Sequence, residues 1–85
     1  MPPNRITLNN LKVGERAIVR RVSNRNKLLC GKLLAMGLIA GAHVEVLRYA
    51  PLGDPIEIKA VGSRLSLRAS EAVHVVVSDV TSRHL

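Results

Sequence analysis

The sequence predicts a mainly β protein: a small, closed or nearly closed barrel of about five strands with one short helix after the first. Three observations predict it. Apolar residues make up 47% of the chain and fall largely in short runs with one apolar side. Glycine and proline clusters punctuate those runs. Only Lys27 to Met36 shows the three- and four-residue apolar spacing of a helix. A chain of 85 residues makes one domain, near the lower end of what a core supports without staples. Strands this short bury their apolar sides by wrapping round a common core. An SH3-like barrel is the natural candidate, with an OB-type barrel as the alternative.

Taken in order, Leu8 and Leu11 precede Lys12-Val13-Gly14-Glu15, a lead-in turn closing against the core. Arg16 to Val22, rich in Ile and Val, is the first strand. Ser23-Asn24-Arg25-Asn26 is a polar loop of helix N-cap residues. The helix follows, with Leu29, Leu33 and Met36 recurring on one face and Cys30 and Leu34 flanking them. Gly37 stands where a glycine in the left-handed conformation ends a helix, and Gly41 closes a tight turn.

His43 to Tyr49 alternates with Val44 and Val46 on one side. Ala50 to Pro55 is a turn cluster, because proline fixes φ and glycine supplies positive φ. Ile56 to Val61 alternates again, Gly62-Ser63 turns, and Arg64 to Arg68 alternates around Leu65 and Leu67. Ala69 to Ala72 suffices for one helical turn, and Val73 to Val80 is the last strand with Val75 and Val77 inward. The barrel is thus expected over residues 8–80, after a lead-in of 1–7 and before a frayed tail of 81–85.

Composition excludes several functions. Residues 1–32 carry eight basic groups against Glu15 alone, while residues 33–85 balance five against five, so the net charge of +7 sits in the first third. Such a face attracts an acidic protein surface, a nucleic-acid backbone or an anionic leaflet. Tyr49 is the only aromatic residue, which leaves almost no stacking platform for bases and disfavours a nucleic-acid-binding barrel. The single Cys30 excludes an internal disulfide and is expected as a buried structural thiol. Met1-Pro2-Pro3-Asn4 is too short and polar for a signal peptide, and Leu33 to Ala42 falls far below the roughly 20 residues of a membrane helix.

No enzyme is expected. Gly31-Lys32 lacks the upstream glycine of a phosphate-binding loop, and no sequence elbow joins Ser63, Ser66, His43, His74 and Asp54 into a triad. His43, His74, His84 and Cys30 fall at no metal-ligand spacing. Neither a cofactor nor a small-molecule substrate is indicated.

The central motifs match a family. Leu29-Cys30-Gly31-Lys32-Leu33-Leu34-Ala35-Met36-Gly37-Leu38-Ile39-Ala40-Gly41 resembles the helix-and-turn signature of the ferrous-iron transport protein A (FeoA) family. His43 to Ile56, with Ala50-Pro51-Leu52-Gly53-Asp54-Pro55 at its turn, resembles that family's hairpin. Gly62 to Arg68 and Glu71 to Val75 follow the family order, so similarity spans roughly residues 8–78. Ala40 departs from the pattern, which usually has proline there.

The resemblance implies an SH3-like fold and an accessory role beside a membrane-bound ferrous-iron transporter with a GTPase domain. It places the protein in the cytoplasm, peripheral at the inner face of the membrane. Candidate partner-binding residues follow. Leu52, Gly53 and Asp54 form an apolar tip on a turn stiffened by Pro51 and Pro55, and rigid display lowers the ordering cost of binding. Arg20, Arg21, Arg25 and Lys27 form a basic cluster suited to an acidic surface. Arg25, on a loop, is the position from which an arginine would reach a nucleotide site. Leu28 and Leu38 are surplus to one core face; exposed together they would form an apolar patch suited to a partner, with Leu38 its candidate contact residue, and core packing is the alternative reading. Weak self-association through open strand edges is a further expectation.

Overall fold

A computed structural model describes residues 5–23 and 25–82. Strand β1 (Ile6–Thr7) leads through a 3₁₀ turn (Leu8–Asn10) into β2 (Glu15–Val22) and helix α1 (Lys27–Ala35). Then come β3 (His43–Tyr49), β4 (Ile56–Ala60), β5 (Ser63–Leu67), the single-turn helix α2 (Ala69–Ala72) and β6 (Val75–Ser82). All strand pairs are antiparallel, in one six-stranded sheet of order β1-β6-β2-β3-β4-β5. The architecture is the expected mainly β, SH3-like barrel, with one strand more than expected. That strand is β1, in which Ile6 and Thr7 pair with Val77 and Val76. Two residues are too few to show alternation, so pairing alone reveals them. Thr81 and Ser82, expected in the tail, face Arg16 and Glu15 as the end of β6.

Alternation sets what is buried. Val44 and Val46 of β3, Ile56 and Ile58 of β4, Leu67 of β5 and Val75 and Val77 of β6 all point inward with Leu8, Leu11 and Val19. Burying these side chains is the main force closing the barrel, at about 1.5–3 kcal/mol for each large aliphatic group. Tyr49 joins the lead-in to β3: its hydroxyl donates to the carbonyl of Leu11, and burial pushes the phenol above its ordinary pKa, with Glu15 adding to the shift.

Helix α1 begins where Asn26 accepts the Leu29 amide at 3.1 Å, as an N-cap. It ends in a Schellman motif. The Leu38 N–H reaches the Leu33 carbonyl at 3.1 Å and the Gly37 N–H reaches Leu34 at 3.0 Å, with Gly37 at φ +96°. This motif characteristically brings the residue after the glycine against the last turn of the helix. Leu38 is therefore wholly buried, as is Leu33, so the core-packing reading holds for Leu38, its place as a candidate contact residue is corrected, and a Leu28–Leu38 surface patch does not form. Leu28 is 90% exposed. Cys30 is half-buried rather than buried, because it sits at the margin of the helix face that carries Leu33.

Candidate functional site

The loop Ala50 to Pro55 is a tight, internally bonded turn. The Ala50 amide donates to the Pro55 carbonyl at 3.0 Å, and the Gly53 amide to the Ala50 carbonyl at 2.7 Å. Gly53 has φ +88°, a conformation that glycine adopts without cost. The result is a rigid platform that holds Leu52 in solvent at 95% exposure. Asp54 has a structural task in addition. Its carboxylate accepts the Ala69 amide at 2.9 Å, tying the loop to the first turn of α2. An acceptor at that position also satisfies one of the amides a helix start leaves unpaired.

The basic cluster lies on different elements. Ladder irregularities in β2, between Arg16 and Ile18 and between Val19 and Arg21, disturb its alternation, so the adjacent Arg20 and Arg21 are both exposed. Arg20 meets Asp79 of β6 at 3.3 Å in an exposed pair, worth at most about 1 kcal/mol. Arg25 and Lys27 are exposed, and their side chains enter no hydrogen bond or ion pair among the described residues. Among those residues, no hydrogen bond or ion pair joins this cluster to the Leu52 loop. Of the expected contact residues, Leu52, Gly53, Asp54, Arg20, Arg21, Arg25 and Lys27 are thus on the surface, and Leu38 is in the core.

A second junction was not read from the sequence. Lys32 of α1 reaches Glu71 of α2 with Nζ–Oε2 at 2.7 Å, and Glu71 also accepts the Arg68 amide at 2.9 Å. The two groups lie 39 positions apart, so only the fold shows the pairing. The hydrogen bond from Lys32 holds the Glu71 carboxyl below its usual range, the Arg68 amide lowers it further, and burial opposes both. Since the folded-state pKa is lowered, the stabilisation is complete above the unfolded value of about 4.3 and fades as pH falls through the folded value. Glu71→Gln is accordingly expected to lower Tm at neutral pH, with the difference from wild type shrinking between pH about 5 and about 2. Thermal melts across that range test it, and a difference independent of pH would refute it.

Among the described residues no group of three or more His, Cys, Asp or Glu side chains is placed to hold a metal. His43 is exposed, His74 is half-buried in the turn before β6, and His84 lies outside the described residues. No helix among them is long and apolar enough to cross a membrane.

Comparison with known proteins agrees with this architecture. Over 75 residues the chain is 31% identical to an Fe(2+) transport protein A/Fe(2+) transporter FeoB fusion protein of Porphyromonas gingivalis, covering 88% of this chain and 9% of that protein. The chain thus spans about a tenth of that relative's length. A FeoA-like protein from Clostridium acetobutylicum superposes with a TM-score of 0.86 at 30% identity, covering 99% of this chain and 96% of the other. FeoA of Stenotrophomonas maltophilia, solved with zinc and described as a prokaryotic SH3 domain protein, gives 0.83 at 28% identity over 93% and 99% of the two chains. Residues 6–79 match the FeoA domain. The chain belongs to the FeoA domain family.

Proposed function

We propose that this domain is a non-enzymatic accessory of ferrous-iron transport, acting by contact with a membrane-bound ferrous-iron transporter at the cytoplasmic face of the membrane. The observation that carries the reading is the Porphyromonas gingivalis relative, in which a segment like this chain shares one polypeptide with the transporter FeoB. Covalent linkage gives two parts a high effective concentration, which suits a pair that works in contact. The Leu52 loop and the basic cluster Arg20, Arg21, Arg25 and Lys27 supply the contact surface. A pre-ordered apolar tip lowers the entropic cost of docking, and clustered charge steers encounter with an acidic domain. The proposed contact is with the transporter's GTPase-bearing region.

Binding of the purified protein to that region, apo and with GTP or GDP, at low and moderate salt, tests the proposal. Saturable binding is expected, with Leu52→Asp weakening it about tenfold or more while Tm stays unchanged. Absence of binding in every nucleotide state would overturn the reading. Salt-sensitive binding to RNA or DNA in its place would move the function to nucleic acid.

A further inference from the structure

The sheet ends at β5, and the geometry of the hairpin before it fixes which groups face outward. Val61 and Gly62 both have positive φ, +52° and +75°, which makes the turn a two-residue type I′ connection. Such a turn closes on a hydrogen-bonded pair, here Ala60 with Ser63. Alternation along the ladder then makes Lys59–Arg64 and Glu57–Ser66 the non-hydrogen-bonded pairs. The backbone N–H and C=O groups of Arg64 and Ser66 therefore point away from β4, along the open edge. Ser63, Arg64 and Ser66 are exposed, and among the described residues β5 makes no backbone hydrogen bond except to β4.

The charge pattern beside this edge is unbalanced. One row of register partners crosses four strands as Arg16, Glu45, Lys59 and Arg64. Arg16 pairs with Glu45 at 3.9 Å. At the rim, however, Lys59 and Arg64 stand directly opposite each other, an arrangement that destabilises a sheet. The pair is non-hydrogen-bonded, which brings the two side chains closest. Arg64 makes no ion pair or hydrogen bond among the described residues, and the exposed Arg68 continues the positive rim two positions past Ser66. A depression of about 300 Å³ lies beside the rim, lined by Glu45, Leu47, Lys59, Gly62, Ser63 and Arg64.

We propose that β5 is a strand-addition site for an extended acidic segment of a partner protein. Such a segment takes its main-chain bonds from the outward groups of Arg64 and Ser66. An acidic residue opposite Arg64 completes the row, so that the like-charge pair at the rim becomes a three-member network with a carboxylate. Pairing with a second copy of β5 is disfavoured, because it brings two Arg64 side chains to one rim. The inference concerns the edge alone and holds whichever protein supplies the segment.

The probe is a blocked peptide of alternating Asp and Val, titrated at low salt into isotope-labelled protein, with a Lys–Val peptide as control. The expected result is amide shift changes centred on Arg64 and Ser66 for the acidic peptide alone. Arg64→Glu is expected to weaken the acidic peptide about tenfold and to confer binding of the Lys–Val peptide. Ser66→Pro removes only an outward donor, so the fold persists and binding is lost. Ser66→Ala keeps the donor and binds as wild type. Shifts that map elsewhere, undiminished binding by a folded Ser66→Pro variant, or binding of RNA but not peptide at this rim would each overturn the proposal.

Discussion

Leu38→Ala is expected to cost about 2–5 kcal/mol, the range for truncating a fully buried leucine. Leu38 is wholly buried and packs at the Schellman end of α1, where Leu33 is equally inaccessible. A domain of 85 residues has a total stability of about 4–13 kcal/mol, so this single change removes a large share of it. The corresponding fall in Tm is on the order of 10 °C or more. Leu28→Ala, at the other of the two leucines surplus to one core face by sequence, is expected to stay within about 0.5 kcal/mol, because that side chain is 90% exposed. Thermal or urea unfolding of the two variants side by side decides the matter. Equal losses would mean that Leu28 also packs, and a silent Leu38→Ala would contradict the burial of the helix end.

The contrast between these leucines shows what the sequence does and does not carry. Strand identity was legible because one-residue alternation is a local signal: Val44, Val46, Ile56, Ile58, Val75 and Val77 all point inward as their spacing requires. The helix was legible for the same reason, from Asn26 at its start to Gly37 at its end. The place of Leu38 was not, since helical periodicity stops at the glycine and the capping motif then sets its direction. The signal was present all the same, because an apolar residue directly after a C-terminal glycine is the mark of that motif. The short strand at Ile6–Thr7 and the Lys32–Glu71 pair lacked any local signal, as both depend on elements far apart in the chain. Of the candidate site, the exposed Leu52 tip was readable from its proline and glycine frame. The second task of Asp54, accepting the Ala69 amide, was not, because it depends on where α2 begins.

The second large effect is expected at Gly37, and it is coupled to a residue that itself breaks a local rule. A Cβ added at Gly37 would lie 2.8 Å from Cγ2 of Val61, and the φ of +96° is strained for any side chain. Gly37→Ala is therefore expected to cost about 1–3 kcal/mol through backbone strain and overlap together. Val61 holds φ +52°, a conformation rarely adopted by a β-branched residue, in a turn that favours Asn or Gly. Its side chain is 68% exposed, so core burial does not explain its presence. What it does have is the bare backbone of Gly37, onto which its methyl group fits because no Cβ intervenes. Val61→Gly alone is expected to be near neutral, since relief of strain is offset by added freedom in the unfolded chain. In combination it should recover the overlap part of the Gly37→Ala loss, giving a coupling of about 1 kcal/mol in a double-mutant cycle. The residual cost then measures backbone strain at the helix end alone. Additive costs would instead mean that the β4–β5 turn and the end of α1 move apart freely, leaving the φ of Gly37 as the sole reason for glycine there.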